Sequence, residues 1–182
     1  MTPTTKIADA KSLVSMRTLE AKPHTFAPPS ARGPVRMPDQ GFTRGIGSSG
    51  PLPPLVLVID DHDDSRTICR LVLESAGFRV AEAQTGFDGI RIAIETRPLV
   101  VLLDMVLPGL DGWEIARLLR LDPSTREAVI IAVTALAGAE DQDRALLAGC
   151  DEVLTKPIPP TVMLDTVRRY VGIPVPAAGR SC

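Results

Sequence analysis

Aromatic residues and cysteines are scarce in this chain, and each shortage limits what the protein can be. Phenylalanine, tyrosine and tryptophan make up 3% of its 182 residues, so a core must be built from leucine, valine, isoleucine and alanine. The three cysteines, Cys69, Cys150 and Cys182, are odd in number and widely spaced. That arrangement gives neither a disulfide framework nor a pair of metal ligands. We therefore expect small buried side chains at Cys69 and Cys150, and a reducing compartment.

Long apolar runs and a basic globular surface are also missing. No segment approaches the roughly 18 apolar residues that a membrane span needs, and the N-terminus lacks the apolar stretch of a secretory signal. Residues 55–172 carry twelve lysines and arginines against nineteen aspartates and glutamates, a net charge of about −7. Nucleic-acid binding requires a basic face. We therefore expect a cytoplasmic protein that contacts neither a membrane nor nucleic acid directly.

The first 54 residues differ in composition from the rest. They hold nine of the seventeen prolines and five glycines, with seven basic residues against three acidic ones. Such a segment buries too little apolar surface to offset the loss of chain entropy on folding. We interpret residues 1–54 as a disordered leader, residues 55–172 as the globular domain and residues 173–182 as a flexible tail. A short helix near residues 7–21, an organelle transit peptide and a start of translation at Met37 are alternatives for the leader.

From Leu55 onward, apolar runs alternate with helical patterns. The predicted strands cover residues 55–59, 79–83, 99–104, 129–134 and 152–155, and the helices about residues 64–76, 86–97, 111–121, 139–148 and 160–171. The first helix is expected to begin at a cap formed by Asp64 or Ser65. Its inward face is predicted to consist of Ile68, Leu71, Val72 and Ser75. The alternation predicts an α/β fold whose parallel sheet is covered by helices on both faces.

Acidic residues and one lysine follow three of the predicted strands. Asp60 and Asp61 follow the first strand, Asp104 ends the third, and Lys156 follows the fifth. Ligands of a parallel sheet collect at the carboxyl ends of its strands, so these side chains should converge. Carboxylates placed so close repel one another unless a cation lies among them, and oxygen ligands suit a hard cation such as Mg²⁺. The arrangement suggests phosphoryl chemistry on an aspartate.

Four segments of the globular part occur in a fixed order. They are VLVIDD at 56–61, LLDMVLPGLDG at 102–112, AVTA at 132–135 and LTKP at 154–157. Together they resemble the four signatures of the receiver domain of two-component response regulators, although any one of them alone would be a weak signal. The resemblance covers about residues 55–172. It implies a flavodoxin-like, doubly wound (βα)5 fold whose five-stranded parallel sheet has the strand order 2-1-3-4-5.

The resemblance also implies a phosphoacceptor and a magnesium site. Asp104 would accept the phosphoryl group. Asp61 and Asp104 would bind Mg²⁺ directly, the backbone carbonyl of Val106 would be a third protein ligand, and Asp60 would act on the ion through water. Phosphoryl transfer has a loose transition state, so such a site mainly has to align Asp104 and neutralise the charge on the transferred oxygens.

The remaining site residues follow from the same resemblance. Thr134, Ala135 and Lys156 would contact the phosphoryl group, and the Lys156–Pro157 bond is expected to be cis. Val153 stands where the family usually has tyrosine or phenylalanine. A β-branched side chain has few rotamers, so the coupled ring movement of the family is in doubt here.

For partners, the resemblance implies a sensor histidine kinase or phosphotransfer protein as donor, and docking to an unidentified downstream protein through helix 4, strand 5 and helix 5. Because the chain ends soon after the fifth helix, we expect a stand-alone switch rather than an enzyme. A non-phosphorylated pseudo-receiver that binds partners constitutively is the alternative, to which Val153 gives some weight. An aspartate-dependent phosphatase is disfavoured, because it needs a second carboxylate where Val106 stands.

Several neighbours of these residues have a simpler interpretation. Asp63 and Asp64 would stabilise the first helix through its dipole, and Asp111 would cap the third helix. His62 is interpreted as a half-exposed loop residue, because magnesium prefers oxygen ligands. Trp113 is predicted to be a residue of the third helix that packs into the core.

The positions two residues after Asp104 and Thr134 are occupied by Val106 and Leu136. Neither side chain can orient an attacking water. We therefore expect an acyl phosphate on Asp104 to hydrolyse slowly.

Overall fold

Five strands and five helices alternate along the structure, a computed structural model that describes residues 52–135 and 138–173. The expected leader lies outside these ranges apart from residues 52–54, and so does the expected tail apart from Ile173. The strands are β1 (Leu55–Ile59), β2 (Arg79–Ala83), β3 (Val100–Asp104), β4 (Val129–Thr134) and β5 (Glu152–Thr155). The helices are α1 (Asp63–Ser75), α2 (Gly86–Thr96), α3 (Gly112–Leu121), α4 (Ala139–Ala148) and α5 (Pro160–Tyr170).

All neighbouring strands of the sheet are parallel, in the order β2-β1-β3-β4-β5. This confirms the predicted doubly wound, flavodoxin-like fold. The predicted strand boundaries agree with the structure except that β3 begins at Val100 rather than at Leu99. Among the helices that the structure describes, none has the length and apolar character to cross a membrane.

Two hydrophobic clusters cover the two faces of the sheet. On one face, alternate strand residues such as Leu57, Val101 and Ile130 pack with residues of α2, α3 and α4. On the other face, their neighbours Val58 and Leu102 pack with residues of α1 and α5. Successive side chains of a strand point to opposite faces, so continuous apolar runs are required where both faces are covered. This double burial fixes the sheet and holds its carboxyl edge in place.

The face that helix α1 presents to the sheet agrees only in part with the prediction. Val72 packs against the core as predicted, whereas Ser75 is exposed. Ile68 and Leu71 are 53% and 56% exposed, so their predicted inward positions were wrong. Leu73 is fully buried in the core instead, with Cys69 and Ala76 packed beside it. The buried side of α1 therefore runs through Arg66 and Leu73 rather than through Ile68 and Leu71.

The start of α1 also differs from the prediction. His62 is the N-cap residue, and its side chain makes no capping hydrogen bond. Asp64 and Ser65, the predicted caps, lie within the helix. The helix begins earlier because Asp63 already belongs to its first turn and forms an ion pair with Arg66 three residues further on.

Helix α3 begins as predicted. Asp111 is its N-cap, and the Asp111 carboxylate accepts a hydrogen bond from the Glu114 amide at 2.8 Å. Trp113 is buried in the core cluster that α3 shares with α2 and α4, as expected for a packing residue. Asp111 and Trp113 therefore anchor the helix that follows the loop after β3.

Candidate functional site

The carboxyl edge of the sheet brings together the polar residues singled out in the sequence. Asp60 directly follows β1, Asp104 ends β3, Thr134 ends β4 and Lys156 follows β5. In the parallel register, Ile59 lies beside Leu103 and Asp104 lies beside Val133. Asp60 and Asp104 therefore leave adjacent strands at the same level, facing the ends of β4 and β5.

Lys156 joins the two buried carboxylates of this edge. Its ammonium group donates hydrogen bonds to Asp104 Oδ2 at 2.7 Å and to Asp60 Oδ2 at 2.9 Å. Burial alone would lower the pKa of Lys156, but the hydrogen bonds and negative charges of Asp104 and Asp60 outweigh burial and raise it. The lysine is therefore a fixed positive charge at neutral pH, placed between the two acids.

The Asp104 carboxylate is held at both oxygens and is almost fully buried, at 4% exposed. While Oδ2 accepts from Lys156, Oδ1 accepts a hydrogen bond from the Val106 amide at 2.8 Å. Two such bonds leave the carboxylate little rotational freedom. Val106 itself is exposed and carries no polar side chain beside Asp104.

A tight loop between β3 and α3 supports this geometry. The Gly112 amide donates to the Met105 carbonyl at 3.2 Å. A Cβ atom at position 112 would lie 2.5 Å from Met105 Cα and 2.8 Å from the Asp104 carbonyl oxygen. A side chain there would displace the backbone of Asp104, so glycine is required by close approach. Gly109, at φ +86°, forms the turn of the same loop.

Asp60, Asp61 and His62 complete an acidic group around Asp104. One ligand atom from each of these four residues lies within 4.8 Å of the other three. Asp60 Oδ1 accepts from the His62 amide at 2.8 Å. Asp61 Oδ1 is buried and accepts no hydrogen bond from the described residues. His62 Nδ1 lies 2.8 Å from it, close enough for an ion pair but outside hydrogen-bond alignment.

These residues fit a hard divalent cation. Three carboxylates converge on one point, and a buried oxygen without a partner is costly. A cation bound by oxygen ligands would relieve both conditions. The Asp61 oxygen, which accepts no hydrogen bond from the described residues, is the observation in this structure that best matches a metal ligand.

Thr134, Ala135 and Val153 lie on the β4 and β5 side of the site. Thr134 is buried, and its backbone carbonyl accepts a hydrogen bond from the Lys156 amide at 2.7 Å. Ala135 follows it and is exposed. Val153 is half-buried beside Ala132 in the sheet and packs against the core cluster under α2–α4. The Lys156–Pro157 peptide bond is cis.

Sequence reasoning missed one charged residue at the site, Arg66. This arginine is 5% exposed. Its guanidinium donates to the backbone carbonyl of Asp60 at 2.7 Å and pairs with Asp63. An available signal was the three-residue spacing of Asp63 and Arg66, which places them side by side on a helix. Asp63 lies in the first turn of α1 and pairs with Arg66, which agrees with its predicted structural role.

A parallel sheet with the strand order β2-β1-β3-β4-β5 and an acidic group at its carboxyl edge is typical of receiver domains. The family model of the response regulator receiver domain matches residues 56–168, so the chain belongs to this family.

Relatives and solved structures support the same assignment. The polar-differentiation response regulator DivK of Brucella anthropi is 30% identical over 121 residues, which cover 66% of this chain and 98% of DivK. The receiver domain of the sensor histidine kinase PA1611 from Pseudomonas aeruginosa is 31% identical, with a TM-score of 0.62 over 66% of this chain and 98% of that one. That structure has a magnesium ion coordinated in its active site cleft. The chemotaxis protein CheY4 of Vibrio cholerae is 25% identical, with a TM-score of 0.63 over 65% of this chain and 98% of CheY4.

Proposed function

We propose that this chain is a phosphoacceptor receiver that takes a phosphoryl group on Asp104 from a sensor histidine kinase or phosphotransfer protein. The phosphorylated domain, residues 55–172, then docks to a downstream protein. The observation that carries the proposal is the lysine bridge, in which Lys156 Nζ contacts Asp104 Oδ2 at 2.7 Å and Asp60 Oδ2 at 2.9 Å. A lysine so placed neutralises the nucleophile and lies where phosphoryl oxygens would need a positive charge.

In the proposed transfer, an oxygen of the Asp104 carboxylate forms a bond to phosphorus while the phosphorus–nitrogen bond of a phosphohistidine breaks. The bonding electrons leave with the imidazole nitrogen, which takes up a proton from water. The product is an acyl phosphate. Because the transition state is loose, the carboxylate contributes its position more than its nucleophilicity, and the two hydrogen bonds to Asp104 supply that position.

Magnesium, when bound, would supply positive charge to the oxygens of the transferred group. Asp61 and Asp104 would hold it directly, with the Val106 carbonyl as a third protein ligand and Asp60 acting through water. This assignment is supported by the buried Asp61 oxygen, to which no group in the described part of the chain donates a hydrogen bond.

Lys156 and Thr134 would respond to the product. Lys156 would exchange part of its contact with Asp104 for a phosphoryl oxygen, and the Thr134 hydroxyl would donate to another. Thr134 and Lys156 already share a backbone hydrogen bond at 2.7 Å, so a shift of one would pull on the other. Phosphorylation would then bias an existing two-state equilibrium.

Val153 favours a second candidate function, a pseudo-receiver that binds partners constitutively. A half-buried valine in the core cluster has no ring to move between an exposed and a buried position. The fully assembled site around Asp104 favours the phosphoacceptor instead, since a binding module does not need a buried carboxylate bridged by a lysine.

The decisive experiment measures covalent phosphorylation. The full chain is incubated with acetyl phosphate and Mg²⁺, and its intact mass is recorded beside those of Asp104→Asn and Asp111→Asn. Asp111 is a matched control, because it is an exposed aspartate that caps α3 a few residues away. We expect one added phosphoryl group in the native chain and in Asp111→Asn, and none in Asp104→Asn. An unchanged native mass, confirmed with a phosphohistidine donor, would favour the pseudo-receiver.

A further inference from the structure

His62 is the one nitrogen donor in the acidic group around Asp104, and the proposed magnesium site makes no use of it. Its Nδ1 atom lies 2.8 Å from Asp61 Oδ1 and 3.4 Å from Asp60 Oδ1. Its imidazole is largely exposed, with 69% of the side chain open to solvent, so it can rotate toward a bound ion. No described side-chain hydrogen bond caps α1 through His62, so the ring is not committed to the helix.

We propose that His62 is a ligand of the divalent ion, which gives this site a nitrogen donor and a preference for a transition ion such as Ni²⁺ over Mg²⁺. This inference rests on the proposed metal site and extends it to the choice of ion. In this proposal, His62 determines which metal ion the site prefers.

The spacing of the donor atoms supports the proposal. Ligands lie about 2.0 to 2.2 Å from a small divalent ion, so two ligands at right angles are separated by about 3 Å. The His62–Asp61 and His62–Asp60 distances of 2.8 Å and 3.4 Å lie on either side of that value. Asp61 Oδ1 is buried and without a hydrogen-bond donor in the described part of the chain, so it is available as the neighbouring ligand.

The chemistry of the donors sets the direction of the preference. Mg²⁺ takes oxygen ligands and keeps several waters, so an imidazole adds little to its binding. Imidazole suits Ni²⁺, and affinities of mixed nitrogen and oxygen sites rise from Mn²⁺ to Ni²⁺. The contacts of His62 with Asp61 and Asp60 could instead be ion pairs only. In that case the loss of His62 should change the affinities for Ni²⁺ and Mg²⁺ by the same factor.

The test compares metal affinities by calorimetric titration of the metal-free full chain with NiCl₂ or MgCl₂. We expect His62→Gln to weaken Ni²⁺ binding at least about tenfold and to change Mg²⁺ affinity by less than about twofold. The chain contains two histidines, so His24→Gln is the matched control and should leave both affinities unchanged. Asp61→Asn should weaken both metals, which assigns the heat to this site.

A spectroscopic measurement keeps the test independent of any change in folding. Electron spin-echo spectra of bound Mn²⁺ should show coupling to a directly bound ¹⁴N nucleus in the native chain and in His24→Gln, but not in His62→Gln. Equal Ni²⁺ affinity of the native chain and His62→Gln, with no ¹⁴N coupling, would overturn the role of His62 while leaving the magnesium site intact. Failure of Mg²⁺ itself to bind would instead contradict the proposed function.

Discussion

The two ends of the parallel sheet both bury charged groups, but they arrange them in opposite ways. At the amino end, Arg120 and Asp151 form an ion pair at 2.5 Å with only 7% of each side chain exposed. Arg120 also donates to the carbonyls of Gly149 and Arg126, each at 2.8 Å. Asp151 Oδ2 accepts a second bond from the Ile130 amide at 2.8 Å. One positive charge thus meets one negative charge, and both are hydrogen-bonded.

At the carboxyl end, the charges do not balance. Three carboxylates share the site with Lys156, and one oxygen of Asp61 lacks a hydrogen-bond donor among the described residues. A balanced buried pair is costly to break on one side only, whereas an excess of one charge makes the site sensitive to any added cation or covalent change. We propose from this comparison that the amino end has a structural role and that the carboxyl end is the part of the sheet that responds to ligands.

Breaking the amino end should give the largest effect on stability. Arg120→Met leaves Asp151 buried without its partner, so we expect a loss of about 3 to 5 kcal/mol in the free energy of unfolding, measured by urea denaturation. Arg169→Met is the matched control, because Arg169 pairs with Glu152 at 2.9 Å on the exposed surface. That change should cost less than about 1 kcal/mol. Similar losses in the two variants would contradict the assigned difference between buried and exposed pairs.

Adding a cation should stabilise the carboxyl end. Mg²⁺ at about a hundred times its dissociation constant should raise the free energy of unfolding by about 2.7 kcal/mol. Asp61→Asn removes the proposed ligand carboxylate and should lose most of that gain. Asp64→Asn changes an exposed position in the first turn of α1 and should keep it. Without divalent ions, Asp61→Asn should be more stable than the native chain, because it removes one of the repelling charges. If Asp61→Asn is instead less stable than the native chain without divalent ions, the negative charges at the carboxyl end are already compensated by their neighbours.

The difference between the two ends also explains what the sequence could predict. The carboxyl end was predicted because each of its residues directly follows an apolar run, and strand order brings those positions together. The amino end was not, because Arg120 and Asp151 are 31 residues apart and belong to α3 and to the turn before β5. Nothing local in a single sequence links two such charges.

Arg66 shows a second limit of the same kind. The inward face of α1 was predicted without charged residues, and that prediction did not include Arg66. In the structure Arg66 is buried because the Asp60 carbonyl and the Asp63 carboxylate satisfy its guanidinium. A buried cation is stable only with such partners, and those partners depend on the tertiary fold.

Alkaline pH should act on the stability of the amino end before it affects the carboxyl end. Cys150 lies at the amino end, between Gly149 and Asp151. Burial, opposed in part by the Arg120 charge, raises the pKa of the Cys150 thiol from 9.0 to about 12. The folded state therefore binds more protons than the unfolded state above pH 9, and stability falls as pH rises, by about 1.4 kcal/mol per pH unit. Lys156 at the carboxyl end, whose pKa is raised from 10.5, keeps its charge over the first part of this range.

The measurement is urea denaturation between pH 8 and pH 10.5 for the native chain and Cys150→Ala. We expect a shallower decline in the variant. Burial raises the pKa of Cys69 to about 11, so Cys69→Ala should flatten the remaining slope further. Parallel declines in the native chain and Cys150→Ala would mean that another group controls alkaline stability.

The smallest expected effect on stability comes from Arg144, whose guanidinium contacts an aromatic ring. Arg144 of α4 lies over the ring of Trp113 in α3, with its guanidinium carbon 4.0 Å from the ring centroid. Arg144→Gln should lower the free energy of unfolding by about 0.5 to 1 kcal/mol and should shift the emission of Trp113, the single tryptophan. Arg144→Lys should retain part of both, because an ammonium group can also lie over the ring. A loss of stability as large as that of Arg120→Met would contradict this ranking. An exposed cation over a ring contributes less to stability than breaking a buried ion pair costs, unless the cation is desolvated to the same degree.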